Sequence, residues 1–357
     1  MPQFQYVDHP DALADTLQNQ GRVGVDTEFM RESTYYSQLC LVQIATRNGI
    51  YCVDPLTNQG QAAFWKCLFA HEWVVHSARQ DIEVVYQTAG AMPASIFDTQ
   101  VAAALLGHPP QVGYAALVKT LFDVDMDKSH TRADWSKRPL RDAYLEYAAE
   151  DVEHLLPAAD RLGEELERLG RLAWAQEDSA AMLDPALYVT DDVQAVDRLK
   201  GARSLRGRKR AIAARLAAWR EAEAIARNRP RQWILRDNVL MEMVFRMPAN
   251  SRQLEAIEGM PPKVAARSGK ALLDAVAGAS ADEHDYTPPG PPDEGQKSLL
   301  KEMQARVADC ARDLGIAAET VASKRELSAV IISGGRDSRV FQGWRGELIG
   351  NQLAQLL

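Results

Sequence analysis

The 357-residue sequence is poor in cysteine and in long apolar runs, and each shortage excludes a class of protein. Its four cysteines form no CxxC pair and no dense framework, which predicts free and mostly buried thiols in a reducing compartment. No apolar run approaches the roughly 20 residues that span a bilayer, so we expect no membrane span. The N-terminus lacks a basic segment followed by a long apolar one, which argues against a secretory signal. We therefore expect a cytoplasmic protein.

Positive charge is also scarce overall, but it is unevenly distributed. The net charge of −8 argues by itself against a nucleic-acid partner, because phosphate binding usually leaves a basic footprint. Between Arg198 and Arg236, however, there are 13 basic residues and two acidic ones, Glu221 and Glu223. Such a window is typical either of a surface that follows a nucleic-acid backbone or of a solvated helical face. The rest of the chain is therefore strongly acidic, and part of that acidity is a candidate metal site.

The first 170 residues alternate between strand-like and helix-like segments. Apolar, β-branched runs predict strands at 22–29, 40–46, 49–54 and 73–77, and Asn48-Gly49 predicts a hairpin between the second and third. Helical periodicity predicts helices at 62–70, 81–89, 99–106, 114–121 and 142–167, with a break marked by Pro157. An antiparallel start followed by strand–helix alternation predicts a mixed sheet covered by helices.

After residue 170 the strand pattern disappears and helical patterns continue to the C-terminus. We predict an α/β domain at 1–170, a helical linker at 171–205, a helical domain at 206–280, a Pro/Gly linker at 281–294 and a second helical domain at 295–357. Trp219 and Trp233 lie at helical spacings and are predicted to be core residues.

Asp26-Thr27-Glu28 lies on the first predicted strand of the α/β domain. Residues i and i+2 of a strand point to the same face, so both carboxylates project from one side. Burying two like charges together costs several kcal/mol unless a positive charge lies between them, and a divalent cation provides one. The alternative is a strand end with two solvated acids.

Two further acidic positions follow in the same domain. Asp81 opens a predicted helix after a strand, where a plain helix N-cap is the alternative interpretation. Tyr147 and Asp151 are four residues apart and so share one helix face, where a phenol beside a carboxylate can hold a water for attack. The alternative for this pair is an ordinary amphipathic helix.

Taken together, the four carboxylates favour a metal-dependent active site over these separate structural interpretations. Hard divalent ions need several oxygen ligands and no cysteine. Phosphodiester hydrolysis by two such ions needs them about 4 Å apart, one activating water and one stabilising the leaving oxygen. Carboxylates from a first strand, a central helix start and a last helix of one domain can converge on such a site.

With their neighbouring residues, these motifs resemble ribonuclease D, a family of the DEDD exonuclease group in the subgroup with Tyr in the third motif. The matching segments are GVDTEFMRESTYYSQLCLVQIA, HSARQDIEVVYQ with IFDTQVAAALLG after it, and DWSKRPLRDAYLEYAAEDVEHLLP. The resemblance implies a ribonuclease H-like mixed sheet flanked by helices. It also implies that Asp26, Glu28, Asp81 and Asp151 bind two Mg²⁺ or Mn²⁺ ions and that Tyr147 positions the attacking water.

The helical region resembles the HRDC domains (helicase and RNase D C-terminal) that ribonuclease D proteins commonly carry in two copies. RLAAWREAEAIARNRPRQWILRDNVL looks like the first copy, and ASKRELSAVI with FQGWRGELIG looks like a second, divergent one. The expected fold is therefore an α/β exonuclease domain followed by two small all-α HRDC-type domains. Candidate RNA contacts are Thr27, Phe29, Gln80, Arg208, Arg215 and Arg229.

The resemblance implies a monomeric 3′→5′ exoribonuclease that releases nucleoside 5′-monophosphates and trims the 3′ ends of tRNA precursors and other structured RNAs. The motifs do not separate RNA from DNA, since sugar discrimination depends on contacts to the 2′-hydroxyl. A DNA 3′→5′ exonuclease of the same fold and a non-catalytic nucleic-acid-binding protein are the alternative functions.

Overall fold

The structure is a computed structural model that describes residues 3–18, 20–57, 59–126, 133–189, 195–281 and 292–357. The chain forms two units. The first unit contains Met1–Met30, Gln38–Asp184 and Pro291–Leu357, and the second unit contains Arg31–Ser37 and Pro185–Gly290. This grouping divides the predicted linker at 171–205 between the units and joins the predicted last domain to the α/β domain.

A six-stranded mixed sheet is the centre of the first unit. Its strand order is β1-β4-β3-β2-β5-β6, with antiparallel pairing of β3 to β2 and to β4 and parallel pairing elsewhere. The strands are β1 (Phe4–Val7), β2 (Arg22–Met30), β3 (Gln38–Thr46), β4 (Gly49–Val53), β5 (Glu72–Val75) and β6 (Ser95–Asp98). Strand β3 is buried along almost its whole length, as expected for a central strand covered on both faces.

Helices surround this sheet in the first unit. They are α1 (Ala14–Leu17), α2 (Ala62–Phe69), α3 (Arg79–Ala89), α4 (Thr99–Leu105), α5 (Tyr114–Phe122), α6 (Asp142–Glu153), α7 (Leu155–Arg168) and α8 (Leu172–Ala180). The break between α6 and α7 is at His154, three residues before Pro157. A proline lacks an N–H and its ring clashes with the carbonyl four residues earlier, here that of Glu153, so the helix divides at this point.

The C-terminal residues of the first unit form a small helical block. Its elements are α14 (Glu294–Leu314), α15 (Ala318–Val321), α16 (Lys324–Ser333), α17 (Gly343–Arg345), a π-helix (Gly346–Gly350) and α18 (Asn351–Ala354). The block packs on α8: the Trp344 ring stacks on Trp174 with centroids 4.7 Å apart, and Arg345 binds both carboxylate oxygens of Asp178. It therefore shares its packing with the α/β domain.

The second unit is helical. It contains α9 (Gly207–Ala226), α10 (Arg231–Ile234), α11 (Asp237–Arg246), α12 (Ser251–Glu255) and α13 (Pro262–Ala277) around a core that includes Ile212, Leu216 and Leu240. Trp219 packs against this core, as the sequence predicts, but Trp233 is 62% exposed. The prediction of a core role for Trp233 is wrong, because α10 is only four residues long and helical spacing does not extend into it.

The predicted mixed sheet is confirmed, and so are four of its strands, its hairpin and the five helical segments. β1 and β6 were not predicted, because each is only four residues long and shows too few alternations for a period of two. Helix α8 falls in the predicted linker. Cys40 and Cys52 are buried and Cys67 and Cys310 half-buried, all four as free thiols.

Candidate active site

The first motif lies where β2 faces helices α6 and α7. Gly24, Asp26 and Glu28 alternate with their neighbours and share one face of the strand. A Cβ on Gly24 would lie 3.2 Å from the Cβ of Leu155 at the start of α7, which identifies the face that these helices cover. Asp26 and Glu28 therefore project toward the helix that carries the third motif.

Asp81 reaches this site because β2 extends beyond its neighbour. Strand β5 pairs with β2 only from Arg22 to Gly24, so the edge of β2 is open on that side from Val25 onward. Helix α3 begins after β5 and brings Asp81, in its first turn, to the open edge. There the hydroxyl and the backbone N–H of Thr27 both donate to the Asp81 carboxylate. Thr27 thus fixes the second motif to the first.

Helix α6 supplies Tyr147 and Asp151, one turn apart. The Tyr147 hydroxyl donates a hydrogen bond to the Asp151 carboxylate. The Tyr147 ring packs near Trp135, with centroids 6.3 Å apart, and Trp135 is buried. The phenol and carboxylate predicted to share one helix face therefore do so and are hydrogen-bonded.

All four carboxylates have a raised pKa, and those of Asp26 and Glu28 are raised in part by the other carboxylates of the site. Desolvation is the largest cause for each, and it raises the pKa of Asp81 and of Asp151 to about 7 and that of Glu28 to about 9. The pKa of Asp26 is raised well above its usual range by desolvation and then by Asp81, Asp151 and Glu28. These side chains therefore form one electrostatic site with Asp26 at its centre.

The donor set fits a hard divalent cation. All the candidate ligands are carboxylate oxygens, which Mg²⁺ and Mn²⁺ prefer, and buried like charges become favourable when a cation lies among them. A buried amide that has no hydrogen-bond partner within the described residues, that of Gln43, lies on the strand position opposite Asp26. In the described parts of the chain, no three acidic, histidine or cysteine side chains are grouped tightly enough to hold a metal ion as they stand. The four carboxylates still supply donors of the right chemistry for such a cation.

The remaining predicted site residues differ in how exposed their side chains are. Thr27 is buried against Asp81, Phe29 is half-buried beside a β-bulge, and Gln80 is exposed in the first turn of α3. In the second unit the side chains of Arg208, Arg215 and Arg229 are exposed. A contact with RNA stays a prediction for each of these residues.

Part of the basic window has a structural role in the second unit. Arg210 is 5% exposed and pairs with Asp197 at 2.6 Å, and Arg220 is 2% exposed and pairs with Asp237 at 2.6 Å. These two arginines stabilise the helical core instead of facing solvent. Across residues 195–281 there are still 18 Lys and Arg against 8 Asp and Glu, so the unit as a whole is basic.

Two residues that support the site carry no motif and were not predicted. The Tyr114 hydroxyl accepts a hydrogen bond from the backbone N–H of His154, at the end of α6, 3.1 Å away. Arg138 makes a two-pronged bond to Asp54, at 2.6 and 2.7 Å, and donates to the backbone oxygens of Cys40 and Trp135. Arg138 lies in one of the segments that resemble ribonuclease D. Its partners depend on which strands pair, so the sequence alone does not predict them.

Comparisons with known proteins match both the α/β domain and the helical region of the chain. A family model described as a 3′-5′ exonuclease matches residues 4–167, and an HRDC domain model matches residues 209–276. Ribonuclease D from Acidiphilium cryptum is 39% identical over 97% of this chain and 90% of its own length. The chain belongs to the ribonuclease D family. Ribonuclease D from Pseudomonas paraeruginosa is 34% identical over 100% of this chain and 98% of its own.

A solved structure extends the likeness to the whole chain. The crystal structure of Escherichia coli RNase D, described as an exoribonuclease involved in structured RNA processing, superimposes with a TM-score of 0.89. It is 28% identical in sequence and covers 99% of this chain and 98% of its own. The chain is thus a hydrolase of the ribonuclease D type, a metal-dependent 3′→5′ exoribonuclease. One HRDC domain is matched, and a second at 295–357 stays a prediction.

Proposed function

We propose that Asp26, Glu28, Asp81 and Asp151 together hold two Mg²⁺ or Mn²⁺ ions and that the site releases nucleoside 5′-monophosphates from RNA 3′ ends. The observation that carries this proposal is the convergence of four carboxylates from β2, α3 and α6, close enough that Asp26 interacts with the other three. Such a buried cluster of like charges is unfavourable without a cation. When bound, divalent ions supply Lewis-acid activation of a water and stabilise the charge that develops on the phosphate.

Tyr147 orients the attacking water in this proposal and does not remove its proton. Desolvation is the main cause that raises the pKa of Tyr147 well above its usual value, with further contributions from Asp151 and Glu28. The phenol therefore keeps its proton at neutral pH and acts as a hydrogen-bond donor. Its bond to Asp151 fixes the ring so that the hydroxyl faces the carboxylates.

The proposed substrate is the 3′ end of structured RNA, tRNA precursors in particular. The excess of basic residues in the second unit supports it, because cationic side chains neutralise phosphates. Exposed Arg208, Arg215 and Arg229 are the proposed phosphate contacts in the second unit, and Phe29 and Gln80 are the proposed RNA contacts in the first. Trp233 is exposed with the Arg229 guanidinium over its ring, 5.9 Å from the centroid, which favours a stacked base.

Arginine variants test the phosphate contacts. Arg208→Gln, Arg215→Gln and Arg229→Gln should each weaken RNA binding and lower the dependence of log K on log salt by about one phosphate. Arg312→Gln is the matched control, since Arg312 is an exposed arginine of the C-terminal block that pairs with Asp309. Binding by the three variants with an unchanged salt slope would remove these arginines from the proposal.

Substrate comparison tests RNA against DNA. A tRNA precursor with a 3′ extension, a single-stranded DNA and the same RNA with one 2′-deoxynucleotide at its end are incubated with Mg²⁺ or Mn²⁺. We expect stepwise 3′ shortening of the RNA with 5′-mononucleotide products, and slower removal of the deoxynucleotide. Faster degradation of the DNA would favour the DNA exonuclease, and binding without release of mononucleotides would favour the non-catalytic alternative.

No helix among the described residues is long and apolar enough to cross a membrane. A cytoplasmic location and a monomeric state complete the proposal. Light scattering of the purified protein tests the second point, and a mass of two chains would contradict it.

A further inference from the structure

Gln43 is buried beside Asp26 without a partner. In the antiparallel pairing of β2 with β3, Gln43 is directly opposite Asp26. Opposed residues of an antiparallel pair project from the same face, with Cβ atoms about 5 Å apart. The amide of Gln43 therefore lies on the face of the sheet that carries Asp26 and Glu28.

Both polar atoms of this amide lack a hydrogen bond within the described residues. Gln43 is 0% exposed, and neither Nε2 nor Oε1 has a partner. An unsatisfied buried polar group costs about 1–3 kcal/mol, so natural proteins keep few of them. The positions around Gln43 show that the strand readily accepts apolar residues: Leu41, Val42, Ile44 and Ala45 are all buried. A glutamine that weakens the fold at this position needs a reason other than packing.

The Asp26 carboxylate, opposite Gln43, needs hydrogen-bond donors. The backbone N–H of Thr27 donates to this carboxylate, and Asp81, Asp151 and Glu28 lie close enough to repel it. Asp81 and Asp151, in contrast, each accept a side-chain hydroxyl, from Thr27 and Tyr147 respectively. Gln43, directly opposite Asp26, is placed to add a side-chain donor to the Asp26 carboxylate.

We propose that Gln43 is a positioning residue for Asp26: its amide NH₂ donates to the Asp26 carboxylate and holds that side chain in place for metal binding. This inference rests on the proposed function of the carboxylates. Ligating carboxylates are commonly fixed by such neighbours, whose loss costs about 10–100-fold in metal affinity or activity. The cost of an unpaired amide in the metal-free protein is then offset when the ions bind.

The test is Gln43→Met, which keeps an unbranched side chain of similar length and removes the amide. Without metal, in EDTA, the variant should melt at the same temperature as the wild type or higher, because the unpaired polar atoms are gone. In titration calorimetry without RNA it should bind Mn²⁺ about 10–100-fold more weakly. With saturating Mn²⁺, kcat on RNA should fall while KM stays unchanged. A purely structural glutamine would instead give lower stability with normal metal affinity.

Two further variants keep the result interpretable. Leu41→Met is the matched control, because Leu41 lies opposite Glu28 on the same strand and carries no polar group. It should bind Mn²⁺ as the wild type does. Gln43→Asn keeps an amide one methylene shorter and should retain part of the metal affinity, which serves if Gln43→Met fails to fold. Mn²⁺ affinity at the wild-type level in both Gln43 variants would overturn the inference. Absence of Mn²⁺ binding by the wild type itself would instead overturn the proposed function.

Discussion

At the scale of single residues, the site brings four carboxylates together, and their negative charges disfavour one another. Asp26 is desolvated and faces three other carboxylates, those of Asp81, Asp151 and Glu28. Tyr147 and Thr27 relieve part of the conflict by donating to Asp151 and Asp81. The role of each residue can therefore be tested by removing its charge or its hydrogen-bond donor.

The pH dependence of the metal-free protein follows from these charges. The pKa values of Asp81 and Asp151, raised to about 7, and of Glu28, raised to about 9, exceed the value near 4 of an unfolded carboxyl. Between these values the native protein binds more protons than the unfolded chain, so its stability falls as pH rises. In EDTA we expect the melting temperature to decrease between about pH 5 and about pH 9, the range in which these carboxyl groups lose their protons in the folded protein. Saturating Mn²⁺ in place of EDTA should reverse the decrease.

Asp26→Asn is the control for this pH series, because it removes the charge at the centre of the cluster. The variant should show a smaller decrease in melting temperature over the same range. A wild-type melting temperature in EDTA that falls with pH no more steeply than that of Asp26→Asn would contradict the account.

Tyr147→Phe separates orientation of the water from metal binding. The ring and its packing near Trp135 are kept, while the hydroxyl that donates to Asp151 is removed. We expect kcat to fall by about 10²-fold, the usual effect of losing a positioning contact. Mn²⁺ affinity, measured by calorimetry, should change little. A variant with unchanged kcat would show that the phenol takes no part in the reaction.

At the scale of elements, the site depends on a turn between β5 and α3 that aims Asp81. Ser77 in this turn has a φ of 61°, a strained value for a residue with a side chain. The Asp98 carboxylate, 1% exposed, accepts the backbone N–H groups of Ser77 at 3.1 Å and Ala78 at 2.8 Å, and also caps α4. One buried carboxylate thus holds the strained turn and the neighbouring helix together.

Asp98→Ser should loosen this turn but keep the cap, since serine is also a good N-cap. The short hydroxyl cannot accept the N–H groups of both segments. We expect Mn²⁺ binding to weaken by about 10-fold through misplaced Asp81. Ser179→Ala is the matched control: Ser179 accepts from the backbone N–H of Asp98 and does not touch its carboxylate, so Mn²⁺ affinity should stay normal. Equal Mn²⁺ affinities in all three proteins would refute the role of the turn.

The elements also show what a sequence can predict. The shared face of Asp26 and Glu28 follows from the period of a strand, and that of Tyr147 and Asp151 from the period of a helix, because both depend on local geometry. The partners of Gln43, Asp98 and Arg138 depend on which strands pair and in which register, which no local pattern contains. The core prediction for Trp233 is wrong for a related reason: the helical period of α9 does not continue into the separate short helix α10.

At the scale of the whole molecule, charge is divided between the units. Residues 195–281 carry an excess of basic side chains while the chain has a net charge of −8, so the remainder is strongly acidic. The first unit also contains the C-terminal block, fixed to α8 through Trp344 and Arg345. The Arg345 side chain is 3% exposed and also donates to the backbone oxygens of Val321 and Thr320.

Arg345→Met should therefore destabilise the first unit. Removing one partner of a buried ion pair leaves the other without compensation, here Asp178, and costs about 3 kcal/mol. Arg312→Ala, which breaks an exposed pair with Asp309 in the same block, should change stability by less than about 0.5 kcal/mol. Urea unfolding measures both. Equal unfolding free energies for the two variants would show that the contact with α8 contributes little.

The central claim is that four carboxylates act through divalent ions to remove nucleotides from RNA 3′ ends, and one measurement tests it most directly. Wild type and Asp26→Asn are incubated with a 5′-labelled RNA while Mn²⁺ is titrated from excess EDTA to saturation, and circular dichroism checks that both are folded. The account predicts no shortening in EDTA, stepwise shortening by the wild type as Mn²⁺ rises, and none by the folded variant at any concentration. Full activity of Asp26→Asn, or wild-type activity in excess EDTA, would contradict it.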